Sequence, residues 1–177
     1  MKLYFRLLYL IFTQRLRARC SVLGPCDTSL RVWPNDLDVF FHVNNGVYMT
    51  LMDLGRTDMM LRSGVFGPVR AKGWYPVVAA ETIRFQRSLR LFQQFNIRTE
   101  VVGWDEKSIY IEQVFSSNNK QVAIAALNIR FLAKTGGTVS PADLLGLLGE
   151  QHHDQPDLPE WINSWNIAIA AMPVQRD

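Results

Sequence analysis

The segment Trp33-Pro34-Asn35-Asp36-Leu37-Asp38-Val39-Phe40-Phe41-His42-Val43-Asn44-Asn45-Gly46-Val47-Tyr48 concentrates two carboxylates, an imidazole and the paired amides of Asn44 and Asn45 in one short stretch. The apolar spacing beyond it predicts a helix over about 46–63, with Asn44 or Asn45 as its N-cap. The start of a helix presents unbonded N–H groups and the positive end of the helix dipole, and both stabilise a developing oxyanion. A carboxylate delivered to that point, such as Asp38, serves as a nucleophile or activates a water. Such an arrangement suits hydrolysis of an activated acyl group. The same residue types also serve structure, since Asp and Asn before a helix cap it and His42 fits a hydrogen-bonded structural histidine. The rest of the chain offers no rival chemistry. There is no phosphate-binding glycine loop, Ser-His-Asp order or cysteine-nucleophile signature. Cys20 and Cys26 are too few for a disulfide framework or a zinc cluster. His152-His153 beside Asp154 has no further ligand within reach in sequence and reads as a solvated loop, so no metal site is expected.

The elements that must position this segment follow from periodicity. Before it, SLRVW (29–33) reads as a strand closed by Pro34-Asn35. Within the predicted helix Tyr48, Leu51, Met52, Gly55 and Met59 share one face, and Gly55 lets the backbone approach a sheet closely. Ser63-Gly64 and Gly67-Pro68 end it. Beyond a loop through Gly73, strands are predicted over about 75–87, 94–103, 108–115 and 121–133, with WDEK and SSNNK as hairpin connections and no further convincing helix. One long helix against one antiparallel sheet is an α+β arrangement.

Composition frames this body. The chain has 177 residues, 48% hydrophobic and 20% charged, which excludes disordered and low-complexity classes. The net charge of +3 hides an uneven spread. Residues 1–26 hold five basic residues and no acid, while residues 143–177 hold six acids against Arg176 alone. The chain therefore divides into a basic N-terminal arm (1–28), a body (29–140) and an acidic C-terminal extension (141–177). The arm is too interrupted by Arg6 to span a bilayer. As a helix it gathers Lys2, Arg6, Thr13 and Arg17 in one stripe with apolar side chains around most of the rest. Two readings stand side by side: an interfacial helix whose basic residues reach anionic head groups, and a helix docked on its own domain or a partner subunit. An organellar targeting peptide is a third. The extension is either a helix packed on the body or a partly disordered tail.

Asp36, Asp38, His42-Val43-Asn44-Asn45, Tyr48 and Asp53, with Arg56 completing an acidic-x-x-Arg pattern, resemble the motif of the hotdog-fold thioesterases. The resemblance is to the 4-hydroxybenzoyl-CoA thioesterase-like branch, which includes small bacterial acyl-CoA thioesterases and is similar to plant acyl-carrier-protein thioesterases. It covers about 29–140. It implies a five-stranded antiparallel sheet wrapped around one long central helix, with active sites at the interface of a homodimer or dimer of dimers. It implies an acyl-CoA thioesterase of lipid metabolism acting on an acyl-CoA or acyl-carrier-protein thioester, with no cofactor beyond the coenzyme A of the substrate. By position, Asp38 matches the catalytic carboxylate, the backbone N–H groups of Asn45 and Gly46 would polarise the carbonyl, and the His42 and Asn45 side chains would orient groups nearby. Asp36, Tyr48 and Asp53 take supporting places, and Phe40 and Phe41 would line the substrate pocket. Phe41 stands where the family commonly has glycine, and Phe40 where the plant enzymes carry an asparagine. Arg84, Arg87 and Arg90 are candidates for the coenzyme A phosphates, although strict strand alternation sets Arg84 and Arg87 on opposite sides unless a bulge intervenes. The protein is expected in the cytoplasm, peripheral to a membrane through residues 1–19, and nucleic acid is not an expected partner. The alternative function is a non-catalytic dimeric acyl-binding or interaction module held at a membrane by its arm. A hydratase on the same fold would need a His/Asp arrangement elsewhere in the chain, which is missing.

Overall fold

A computed structural model describes residues 2–147, 149 and 157–173. Cys26, Thr28 and Leu30 turn inward along β1 (Cys26–Arg31) while the residues between them face out. The strand therefore starts three residues before the predicted Ser29, within the stretch that composition assigned to the arm. Its apolar pattern is broken by Thr28, a polar side chain that is fully buried because it donates a 2.8 Å hydrogen bond to Asp58. Val32 still exchanges hydrogen bonds with the Phe92-Gln93 turn, and Trp33 leaves the sheet.

The later strands run where periodicity predicts: β2 (Trp74–Phe85), β3 (Gln94–Trp104), β4 (Ile109–Ser117) and β5 (Lys120–Ala133). All pairings are antiparallel, in the order β1-β3-β4-β5-β2. A two-residue β6 (Thr138–Val139) adds to β5. The long helix α2 (Asn45–Arg62) lies in this sheet with Tyr48, Leu51, Met52, Leu54 and Met59 buried, which is the hotdog architecture. Gly55 marks its closest approach. A Cβ there would lie 2.8 Å from Gln113 Nε2 and 3.0 Å from Thr99 Oγ1, so the helix touches β3 and β4 where polar groups replace apolar ones.

Two further helices lie outside the expected pattern. Phe66–Ala71 forms α3, since Pro68 sits in its first turn where a missing N–H costs nothing, and Val65 and Val69 pack into the core. Pro141–Leu147 forms α4, which buries Leu144 and Leu145. Within the extension, α5 (Glu160–Ala170) sets the fully buried Ile162 against Tyr110 and Ala126 on the other face of the sheet. His152, His153 and Asp154 lie outside the described residues.

The arm forms α1 (Lys2–Thr13) and a 3-10 turn (Gln14–Leu16). It docks on its own domain. Leu10 is fully buried and Leu3 and Leu7 pack on the core. Arg6 pairs with Asp36 at 2.5 Å and Arg17 with Asp58 at 2.6 Å. The arginines of the stripe expected to reach head groups therefore point into the protein.

Candidate active site

The connection into α2 folds back on itself. Leu37 and Val43 form an antiparallel bridge, the Asp38 N–H donates to the His42 carbonyl at 2.8 Å, and the Phe41 N–H donates to the Asp38 carbonyl at 3.1 Å. Asp38 and His42, both half-buried, thereby become neighbours at the foot of the helix. The Asp38 carboxylate accepts the N–H groups of Phe40 at 2.9 Å and His42 at 3.3 Å. Both bonds land on Oδ1. Phe41 closes this turn at φ +59°, the left-handed region that favours glycine, at the position where the family commonly has one.

Asn44 is the N-cap: its Oδ1 accepts the Gly46 N–H at 2.9 Å. This corrects one expectation. The Gly46 N–H is committed to the cap and is not available to polarise a carbonyl. The N–H of the exposed Asn45 bonds to no group among the described residues. The Asn45 side chain stands in solvent beside it.

Asp36 is buried and bound on three sides. Its carboxylate takes Arg6 and the Trp33 N–H (2.8 Å), and its carbonyl takes the Asn44 N–H (2.9 Å). It holds the connection and the cap together. Tyr48 is equally structural, packed edge-on against Phe85 (5.0 Å) and Phe115 (5.2 Å), with burial raising its hydroxyl pKa above the ordinary value. Asp53 lies eight residues along α2, about 12 Å from the helix start. It is exposed and ion-paired with Arg56, so it stands apart from Asp38. Burial draws the Arg56 guanidinium below its usual pKa against the attraction of Asp53 and Glu81, and Arg56 also donates to the buried Gln113 at 3.0 Å.

Phe40 and Phe41 are 76% and 77% exposed. Neither contributes to the apolar cavity of about 160 Å³ between the later half of α2 and the sheet, which is lined by Met59, Val65, Val78, Trp104 and Arg56 among others. Arg84, Arg87 and Arg90 are all exposed. The N–H groups of both Gln86 and Arg87 bond the Val122 carbonyl, a bulge that shifts the strand alternation between Arg84 and Arg87. Leu89, between Arg87 and Arg90, accepts the Val43 N–H at 3.1 Å and brings those two arginines alongside the connection. Among the described residues no three His, Cys, Asp or Glu side chains gather as a metal site.

Sequence reasoning missed Arg6 as the partner of Asp36, and the cluster of Asp58, Arg17, Arg62 and Thr28. The stripe of arm basics was the available signal. It marked Arg6 and Arg17 and left two directions open, toward head groups or toward the protein's own domain.

The model of the thioesterase-like superfamily matches residues 32–166. Protein THEM6 of Danio rerio is 38% identical over 141 residues, covering 80% of this chain and 68% of that protein. Protein THEM6 of Xenopus laevis is 36% identical over 76% of this chain and 63% of its own length, so the match spans about two thirds of these relatives. Among solved structures, the probable thioesterase YbaW of Escherichia coli is 26% identical with a TM-score of 0.65, covering 71% of this chain and 96% of that one. A 4-hydroxybenzoyl CoA thioesterase, 17% identical with a TM-score of 0.63, covers 70% of this chain and 97% of its own and shares the fold. The chain belongs to the thioesterase-like superfamily, and its family and fold support hydrolysis of acyl thioesters in general.

Proposed function

We propose that this member of the superfamily hydrolyses acyl-CoA thioesters, with Asp38 as the catalytic carboxylate. The observation that carries this reading is the turn of residues 38–42, which fixes a half-buried carboxylate at the start of α2, where the Asn45 N–H is unbonded. The thioester carbonyl oxygen accepts that N–H. Asp38 takes a proton from water as the water oxygen bonds to the carbonyl carbon. Alternatively Asp38 attacks the carbon itself and water then opens the resulting anhydride. In either course the C–S bond breaks, coenzyme A leaves as a thiolate that takes up a proton, and the free acid is released. His42, held against Asp38 by the turn, and the Asn45 side chain orient the reacting groups. Arg87 and Arg90, with Arg84 beyond the bulge, stand where exposed cations would meet the coenzyme A phosphates.

Exposed Phe40 and Phe41 favour a site completed by a second copy of the chain, in which they become lining residues of the acyl pocket. We place the enzyme in the cytoplasm, peripheral to a membrane, as a homodimer. Thiol release from a panel of short, long and aromatic acyl-CoA and acyl-carrier-protein thioesters tests the reading. Turnover on at least one class supports it. Binding without release on every class overturns it in favour of a non-catalytic acyl-binding module.

A further inference from the structure

The arm is docked inside out. Arg6 and Arg17 face the body with Leu3, Leu7 and Leu10, while Tyr4, Phe5, Leu8, Tyr9, Phe12 and Leu16 stand in solvent, Phe12 at 76% and Leu16 at 86% exposure. A helix on the surface of a water-facing domain turns the other way. Its apolar tract continues onto the body. Phe5 and Tyr9 line a groove of about 1110 Å³ together with Trp33, Pro34 and the polar Asn35, Asn96 and Asn118. Trp33, also exposed, meets Phe92 edge-on at 6.1 Å. Exposed arginines edge this surface: Arg15 and Arg19 at the end of the arm, and Arg31, which donates to the Phe92 carbonyl at 2.9 Å.

We propose that this face docks on an anionic lipid bilayer, with the aromatic side of α1, Trp33 and Phe92 seated among the head groups and Arg15, Arg19 and Arg31 on lipid phosphates. Tyr and Trp suit such a boundary because one end of the ring is apolar and the other polar. An interfacial helix lies in this plane with its apolar side down. No helix among the described residues is long and apolar enough to cross a membrane. A second copy of the chain fits it less well. A two-fold contact sets like residues near one another, and the first 26 residues contain no acid to neutralise Arg15 and Arg19. Because Arg6 fixes α1 to Asp36, two residues before Asp38, the bound surface lies beside the connection that carries Asp38. The proposal goes beyond the thioesterase reading and stands independently of it.

The test is co-sedimentation of the full chain with vesicles of phosphatidylcholine alone and of phosphatidylcholine mixed with phosphatidylglycerol. Wild type sediments with the anionic vesicles, and less so as salt rises. The double variant Phe5→Ser/Phe12→Ser loses at least about tenfold of that binding. Arg15→Gln/Arg19→Gln loses about fivefold for each arginine on anionic vesicles and little on neutral ones. Both variants keep the wild-type melting temperature and the wild-type acyl-CoA turnover in vesicle-free buffer. Equal sedimentation of wild type and Phe5→Ser/Phe12→Ser overturns the proposal. So does a wild type that binds neither vesicle, or a Phe5→Ser/Phe12→Ser variant whose only change is a smaller particle in solution, which would assign the face to a second copy. Vesicle binding by a wild type that turns over no thioester supports the surface while refuting the thioesterase reading.

Discussion

At the start of α2, Arg6 of the arm meets Asp36, and the groups nearby (Asn44, Asn45, Gly46) stand in solvent. At its far end Arg17 of the arm meets Asp58, which is fully buried and also takes Arg62 at 3.2 Å and Thr28 at 2.8 Å. The two ends use the same pairing for different work. The far end encloses its charges and spends every oxygen on holding elements together. The near end encloses one carboxylate, Asp36, and through it fixes a turn that leaves a second, Asp38, accessible. A buried ion pair here is a support, and the candidate chemistry sits two residues away from it, on a carboxylate bound only by backbone N–H groups.

That contrast can be broken from either end. Asp58→Ala leaves Arg17 and Arg62 without their carboxylate and should cost about 3–5 kcal/mol by chemical denaturation. Turnover per folded molecule should stay at the wild-type value, and a lower kcat in the folded fraction would erase the distinction between the ends. Gly55→Ala, between them, forces a Cβ to within 2.8 Å of Gln113 Nε2 and should cost about 1–3 kcal/mol, read in the same titration. Arg6→Gln leaves Asp36 buried beside a neutral partner and should cost about 1–2 kcal/mol. It should also lower kcat several-fold with KM little changed, because Asp36 holds the Asn44 N–H and the turn. The matched variant Arg17→Gln should lose stability and keep kcat. Phe41→Gly runs the other way: it relieves a left-handed backbone and should stabilise by about 1 kcal/mol, seen as a higher melting temperature.

The long helix and the four later strands were legible because their inward positions are apolar at helical and strand spacing. β1 was misplaced by three residues because its inward Thr28 is satisfied by Asp58, thirty residues away, a pairing that no local pattern carries. α3 was hidden by Gly67-Pro68, which reads as a stop yet also fits a first turn. Asp38 and its turn were visible as a motif. The loss of the Gly46 N–H was not, since it depends on whether Asn44 or Asn45 caps the helix, a difference of one residue. The direction of the arm's basic stripe was decided by Asp36 and Asp58 in the body.

The most direct measurement is thiol release by Asp38→Asn against wild type, on the best acyl-CoA substrate, with melting temperature recorded for both. Asn keeps a side-chain oxygen for the N–H groups of Phe40 and His42, so the turn and the melting temperature should persist while kcat falls by about 10²-fold or more. A folded Asp38→Asn protein that turns over at the wild-type rate would contradict the assignment of Asp38 as the catalytic carboxylate.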